Sequence, residues 1–154
     1  GFPGFVRATL EERGAPGTSL CFELDERELL LHPDAYRAFI ELLRACGCRF
    51  AVCGIRQAGS VAFLRTLPIE YLKLDPALVL GMLRDAESLA RVKAVAQAAQ
   101  AAGLRTIAEC VETEPVRIAL ARAGVHFGQG FAIARPRPMR GPGPQALERK
   151  AIAA

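Results

Sequence analysis

The segment LPIEYLKLD, residues 67–75, combines a short apolar run with charged residues at its carboxyl end. A second segment of the same design, TIAECVET, follows at residues 106–113. A brief, continuous apolar run is typical of a strand buried in a parallel sheet. Charges at its carboxyl end lie where β/α proteins place their active sites. The pattern predicts that Lys73, Glu109 and Glu112 face one phosphate or metal site, although a salt bridge between neighbouring strands explains them equally well.

Composition and charge narrow the class of protein. The 154 residues are 51% hydrophobic and 23% charged, which is typical of one soluble globular domain. No apolar run approaches the roughly 18–20 residues of a membrane span, and the first residues lack the layout of a secretion signal, so we expect a cytoplasmic protein without membrane insertion. The net charge of +4 is scattered and aromatic residues are few, which argues against a nucleic-acid polymer as partner but not against a small anion.

The cysteines and His126 predict structure more than chemistry. Five cysteines form no zinc-finger spacing, and an odd number does not suit a disulfide framework. We therefore expect reduced, packing thiols, with a metal site built from Cys53 and Cys110 as a minor alternative. His126 begins a predicted strand and is expected to be half-buried and hydrogen-bonded.

Strands and helices alternate along the chain. Glycines 47, 103 and 124 each follow a predicted helix as C-cap residues and precede a strand. This rhythm predicts parallel strands joined by right-handed crossovers. Strands are predicted at residues 19–24, 49–53, 69–74, 104–109 and 125–127. Helices are predicted at residues 4–13, 33–46 and 86–102, with shorter ones capped by Ser60, opened by Pro76 and capped by Thr113. Residues 54–59 are predicted to form a loop.

The number of strands leaves two architectures open. Five strands are predicted, or six if residues 132–134 form one, whereas a closed (β/α)₈ barrel has eight strands and about 250 residues. The chain is therefore either an open sheet or an incomplete barrel whose strand edges need cover. We expect the N-terminal helix, a second copy or swapped segments to cover the strand at 19–24. Residues 1–139 are predicted to form the domain, and residues 140–154 a Pro/Gly-rich linker and tail.

Four motifs in order carry a family resemblance. They are FELDE at 22–26, LPIEYLKLD at 67–75, AECVET at 108–113, and GQGF at 128–131 followed by ARPRP. Together they resemble the second half of an EAL domain, over about residues 5–139. That family comprises bacterial cyclic-di-GMP phosphodiesterases and their inactive relatives. The resemblance implies an α/β, TIM-barrel-like (β/α) repeat, here an incomplete barrel of about five to six parallel strands that lacks the first units.

The resemblance also implies roles for five residues. The family hydrolyses a phosphodiester with two Mg²⁺ or Mn²⁺ ions, which activate water and clamp the phosphate. By position, Glu23 matches a metal-ligating glutamate, Lys73 the active-site lysine and Glu109 the site glutamate. Glu112 matches a residue that braces the neighbouring loop, and Gln129 a glutamine near the second metal and the ligand.

Departures from the family pattern concern the metal ligands. The EAL strand and the Asn-bearing strand are not in this sequence, and the DDFGTG segment reads VCGIRQAG at residues 52–59. Cys53 and Gly54 stand where the resemblance implies two aspartates, and neither replaces a hard oxygen ligand. Arg56 adds positive charge, which opposes a cation further. We therefore expect no cofactor, and only vestigial roles for Lys73, Glu109 and Glu23.

These observations predict a catalytically inactive regulatory module of bacterial cyclic-di-GMP signalling. It is expected to act by protein–protein interaction, by cyclic-di-GMP binding, or by both. In the binding mode, Arg56 takes a phosphate with Gln129 and Glu112 as further ligand contacts. In the interaction mode, the partner is a second copy, forming a dimer, or another signalling domain. The alternative is an active phosphodiesterase that uses Mg²⁺ or Mn²⁺.

Overall fold

A computed structural model describes residues 1–138 of the chain. Five parallel strands form one sheet in the order of the sequence, β1-β2-β3-β4-β5. The predicted linker and tail at 140–154 lie outside the described residues. The strands are β1 (Cys21–Asp25), β2 (Arg49–Ile55), β3 (Tyr71–Leu74), β4 (Arg105–Ala108) and β5 (Phe127–Gly128). The helices are α1 (Phe2–Arg13), α2 (Glu26–Leu31), α3 (Pro33–Arg44), α4 (Gly59–Leu64), α5 (Pro76–Gly81), α6 (Ala86–Ala101) and α7 (Glu114–Arg122), with a 3₁₀ turn at Gly17–Ser19.

The two faces of the sheet differ in character. Along β1, Leu24 is buried while Glu23 and Asp25 are exposed, because successive side chains in a strand point to opposite faces. Leu24 is paired in register with Val52, which in turn is paired with Leu72, and this face packs against the helices. The opposite face carries the charged residues of the predicted site.

Aspartates cap the N-termini of three helices. Asp25 is the last residue of β1, and its side chain accepts hydrogen bonds from the first backbone N–H groups of α2. Asp75 follows β3 and caps α5 in the same way, and Asp85 caps α6. An Asp at this position satisfies N–H groups that have no partner inside the helix. The carboxylates of Asp25 and Asp75, which lie at the ends of strands, are therefore partly used for helix capping.

The predicted loop at residues 54–59 is wrong in its first part. Gly54 and Ile55 belong to β2, and the pairing with β3 shifts there. From Val52 to Ile55 β2 advances three residues, while β3 advances two, from Leu72 to Leu74, so β2 carries one extra residue. This is a β-bulge, and Gly54 supplies its left-handed backbone with φ of 83°.

Three smaller predictions also need correction or completion. Ser60 does not cap α4, because that helix begins at Gly59 with Ala58 as its N-cap residue. Residues 132–134 do not form a sixth strand; residues 131–133 form a turn. Helix α1 reaches β1 through Phe2, whose ring centroid lies 6.0 Å from that of Phe22. Within residues 1–138, no helix has the length and apolar character needed to cross a bilayer.

His126 is hydrogen-bonded and half-buried, which confirms the expectation from the sequence. Its Nδ1 accepts the backbone N–H of Thr106 at 3.1 Å and lies 3.0 Å from the Thr106 hydroxyl. Because Nδ1 is an acceptor, the ring is neutral with its proton on Nε2. Burial, and then the charge of Arg105, lower the pKa of His126. The ring therefore joins β4 to the start of β5 in its neutral form.

Replacing His126 is expected to lower stability in a pH-dependent way. His126→Ala leaves the buried N–H of Thr106 unpaired, at a cost of about 1–3 kcal/mol near pH 7.5. The unfolded chain takes up a proton near the ordinary pKa of about 6.5, while the folded chain resists protonation. The stability difference from wild type should therefore shrink as the pH falls below about 6.5. Urea unfolding from pH 7.5 to 5 measures it, with exposed His32→Ala as the control. If the difference in unfolding free energy between wild type and His126→Ala does not change with pH, the neutral His126 ring does not have the stabilising role described here.

Candidate functional site

Lys73 joins two of the predicted site glutamates. Its Nζ lies 2.7 Å from Oε1 of Glu23 and 2.8 Å from Oε1 of Glu109. The lysine side chain is 5% exposed, against 53% for Glu23 and 28% for Glu109. The salt bridge that the sequence analysis gave as an alternative explanation of these charges is therefore present. It extends across the sheet from β1 to the end of β4.

Strand register explains why these three side chains meet. Glu23 is paired in register with Ala51, and Ala51 is paired with Tyr71, so the side chains of Glu23, Ala51 and Tyr71 lie on one face of the sheet. Lys73 is two residues beyond Tyr71 and therefore returns to that face. Lys73 is paired with Ile107, and Glu109 follows Ile107 by two residues. The acid from β1 and the acid after β4 thus flank the lysine of β3.

A tight backbone turn fixes Glu109. The next residue, Cys110, has a φ of 56°, which is unusual for a residue with a side chain. The backbone N–H of Val111 donates to the carbonyl of Gln129 at 3.0 Å, and the N–H of Gln129 donates to the carbonyl of Ala108 at 2.8 Å. A Cβ on Gly130 would lie 2.5 Å from the Val111 nitrogen, so only glycine allows this approach. The segment 108–111 is thus held against the segment after β5.

The electrostatics of the cluster keep Lys73 charged. Burial alone lowers the pKa of Lys73, but the hydrogen bonds and charges of Glu109 and Glu23 outweigh burial and raise it above its usual value. One ammonium therefore faces two carboxylates. A phosphate that approaches the cluster meets a lysine whose charge is already compensated.

Cys53 and Gly54 supply no acid to the cluster. Cys53 is paired in register with Asp25, and its Sγ donates to the carbonyl of Leu24 at 3.3 Å. Burial, and then the charges of Asp25 and Glu23, raise the pKa of the Cys53 thiol, so it stays protonated at neutral pH. Gly54 lies in the bulge of β2 and has no side chain. The positions that the resemblance assigns to two aspartates thus contribute neither charge nor oxygen ligands.

Arg56 forms a second ion pair, with Asp75. Its Nε donates to Oδ2 of Asp75 at 2.8 Å, while Oδ1 accepts the backbone N–H of Ala77 at 2.8 Å. Burial raises the pKa of Asp75, but the bonds from Arg56 and Ala77 outweigh burial and lower it. The arginine side chain remains 60% exposed. The sequence analysis predicted no protein partner for Arg56, although Asp75 stands in the segment LPIEYLKLD.

Glu112 and Gln129 do not join the cluster. Both residues are exposed, and Gln129 takes part through its backbone. Among the hydrogen bonds and ion pairs of residues 1–138, none links either side chain to Lys73. The structure therefore brings together Glu23, Lys73 and Glu109. The side chains of Glu112 and Gln129 remain outside this cluster.

The described residues do not fit the two-metal site that the resemblance implies. Nowhere in residues 1–138 do three histidine, cysteine or acidic side chains stand where they could hold one metal ion, so Cys53 and Cys110 belong to no such group. Divalent Mg²⁺ needs several oxygen ligands at close range. Here the two glutamates are engaged by an ammonium, and the Cys53 thiol is protonated.

An EAL domain model matches residues 1–136, and the chain belongs to the EAL domain family. The chain is 30% identical over 125 residues to the cyclic-di-GMP phosphodiesterase PdeB of Shewanella oneidensis, which covers 80% of this chain and 15% of PdeB. The EAL domain of Mycobacterium smegmatis DcpA superposes with a TM-score of 0.77 at 31% identity, covering 88% of this chain and 61% of that one. The phosphodiesterase MucR of Pseudomonas aeruginosa, in complex with cyclic-di-GMP, has a TM-score of 0.77 at 28% identity, covering 86% and 54%.

These likenesses decide between the two architectures that the sequence left open. EAL domains are TIM-barrel-like, so the five parallel strands are part of a barrel-like (β/α) arrangement. The predicted α/β, TIM-barrel-like fold is confirmed, with five strands in the described residues. The chain spans a little over half of each of these two solved domains and about one seventh of PdeB.

Removing the charge of Lys73 is expected to destabilise the sheet. Lys73→Met leaves Glu23 and Glu109 without their shared partner and close to each other. We expect a loss of roughly 2 kcal/mol, below the cost of breaking a fully buried pair because water reaches Glu23. Chemical unfolding of this variant is compared with that of Lys93→Met, which removes an exposed lysine of α6. If both substitutions lower the free energy of unfolding equally, the Lys73 cluster does not stabilise the sheet as we expect.

Proposed function

We propose that this chain is a catalytically inactive regulatory module of cyclic-di-GMP signalling, which acts by binding cyclic-di-GMP, a protein partner or both. Membership of the EAL family supports the signalling role. The observation that carries inactivity lies in β2, next to the Lys73 cluster whose ammonium engages Glu23 and Glu109. Cys53 and Gly54 offer no replacement acid beside it.

The free energy that metal ions contribute to phosphodiester hydrolysis is large enough for their loss to support inactivity. Metal ions assist phosphodiester hydrolysis by activating water and by stabilising charge in the transition state, which contributes several kcal/mol. Each 1.4 kcal/mol is about tenfold in rate, so losing this assistance costs orders of magnitude. The proposal keeps Lys73 and Glu109 as vestiges of a catalytic site and Glu23 as a vestige of a metal ligand.

Two observations favour the alternative of an active phosphodiesterase. The relative PdeB and the structural neighbour MucR are both named as phosphodiesterases. The chain also retains a lysine and two glutamates at the carboxyl edge of its sheet. The two functions differ in one measurable property, which is metal-dependent cleavage of cyclic-di-GMP.

A hydrolysis assay separates the two functions. The purified chain is incubated with cyclic-di-GMP and Mg²⁺ or Mn²⁺, and the linear product is followed by chromatography. We expect no turnover above the metal-only blank, while the MucR phosphodiesterase serves as a positive control. Metal-dependent product formation at ordinary enzyme rates, about 1 s⁻¹ or faster, would establish the alternative.

In the binding mode, Arg56 is the group that receives a phosphate. Its guanidinium has five N–H donors, and the ion pair with Asp75 uses one of them. The carboxylate of Asp75 holds the guanidinium in place while 60% of the side chain faces solvent. An arginine fixed in this way can bind phosphate oxygens through two parallel hydrogen bonds. Lys73 is a poorer phosphate donor, because its charge is compensated by two carboxylates.

Calorimetry with cyclic-di-GMP in the absence of divalent metal tests the binding mode. We expect a dissociation constant in the micromolar range or tighter, and a loss of about tenfold or more in Arg56→Gln. Arg65→Gln, which removes an exposed arginine after α4, is the matched control and should bind like wild type. No heat with wild type would instead favour action through self-association or another signalling domain, and equal affinities of the two variants would contradict the role of Arg56.

A further inference from the structure

Two cysteines separated by a single glycine lie at the end of α3. Cys46 follows the last turn of the helix, and Cys48 directly precedes β2. Cys48 is 2% exposed and belongs to the hydrophobic core. Cys46 packs against this core but is only partly buried, and it also lines a cavity. The pair therefore combines a thiol that a reagent can reach with a thiol that is shielded from solvent.

The backbone holds the two cysteines in a tight turn. The N–H groups of Cys46 and Cys48 both donate to the carbonyl of Leu43, at 3.0 and 3.2 Å. Gly47 between them has a φ of 84°, the left-handed conformation that ends many helices. Even an extended chain covers only about 7 Å over two residues, and a turn shortens this distance. Because a disulfide joins Cα atoms about 4.4–6.8 Å apart, the separation of the two cysteines suits one.

The two thiols are also close enough to influence each other. Burial, and then the charge of Cys46, raise the pKa of the Cys48 thiol. Such an effect of one sulfur on the other weakens with distance. The Sγ of Cys46 donates weakly to the carbonyl of Leu42 at 3.7 Å, one residue before the carbonyl that binds both cysteine N–H groups. Both cysteines are thus gathered at the same end of α3.

The cavity beside Cys46 lies between α1 and the end of α3 and has a volume of about 270 Å³. Its wall carries Arg7 and Glu11 together with the apolar side chain of Leu10. Arg7 and Glu11 are both exposed, so solvent reaches the cavity. One cation and one anion beside a thiol suit a small reagent that carries both carboxylate and ammonium groups.

We propose that Cys46 and Cys48 form a thiol pair that small disulfides oxidise reversibly, with the cavity admitting the reagent to Cys46. Glutathione disulfide, which carries carboxylate and ammonium groups, represents this class of reagent. The Cys46 thiolate attacks one sulfur of the reagent, forms a mixed disulfide and releases one glutathione thiolate. The Cys48 thiolate then attacks the sulfur of Cys46, closes the internal disulfide and releases the second glutathione. The protein loses two electrons and two protons, and the reagent is reduced to two thiols.

The position of each cysteine supports this order of steps. Cys46 meets the reagent because it lines the cavity, whereas the buried Cys48 needs to reach only the sulfur two residues before it. A bridge across one residue closes a small, constrained ring, and strained disulfides are the ones that thiols reduce readily. An excess of reduced glutathione is therefore expected to restore both thiols.

Peptide mapping of the folded chain tests the pair. Reduced protein is incubated with excess glutathione disulfide at neutral pH, the remaining thiols are alkylated, and trypsin cleaves the product. Cleavage after Arg44 and Arg49 releases residues 45–49, which contain Cys46 and Cys48 and no other cysteine. We expect mass spectrometry to show that this peptide has lost two hydrogen atoms and carries no alkyl group. Reduced glutathione, added before alkylation, should return two alkylated cysteines.

Three variants assign the steps to individual thiols. Cys48→Ser should stop at a mixed disulfide with glutathione on Cys46, and Cys46→Ser should leave the buried Cys48 unmodified. Cys21→Ser removes an exposed cysteine of β1 and is the matched control, which should form the internal bond as wild type does. Wild-type residues 45–49 that keep two alkyl groups, or that retain glutathione, would show that the pair does not form. An internal bond that appears only in urea would equally overturn the proposal.

Discussion

The ammonium of Lys73 is the group on which the carboxyl edge of the sheet depends. It is almost completely buried, and a buried charge is stable only when it is paired. Its partners come from β1 and from the turn after β4, so one side chain links the first strand of the sheet with the fourth. A carboxylate that accepts from a fixed ammonium is also a poorer ligand for a divalent cation.

Two ion pairs engage acidic side chains at the carboxyl edge of the sheet. Lys73 forms ion pairs with Glu23 and Glu109. Arg56 forms an ion pair with Asp75, which also caps α5. Between the two ion pairs lies the bulge of β2, where Gly54 has a φ of 83°. A larger residue at Gly54 meets a backbone conformation that favours glycine, so the local structure suits the sequence without paired aspartates.

The sequence predicted the order of strands and helices because apolar runs, prolines and C-cap glycines mark their limits locally. It also placed Lys73 and Glu109 together, since the carboxyl ends of neighbouring parallel strands meet at one edge. Glu23 needed the family resemblance, because its run alone does not reveal which strands are neighbours. The extension of β2 through Gly54 and Ile55 was missed because a glycine after an apolar run also suits a loop. The ion pair of Arg56 with Asp75 was missed because it depends on the path of the β2–α4 connection.

A titration with Mn²⁺, followed by electron paramagnetic resonance, tests the central claim most directly. Wild type is compared with Cys53→Asp, which places a carboxylate beside Glu23 without requiring a left-handed backbone. We expect no wild-type site tighter than about 1 mM and at least about tenfold tighter binding in the variant, because each added carboxylate strengthens a hard-cation site. Two Mn²⁺ ions bound to wild type at micromolar concentration would show that Lys73 does not withhold Glu23 and Glu109 from metal.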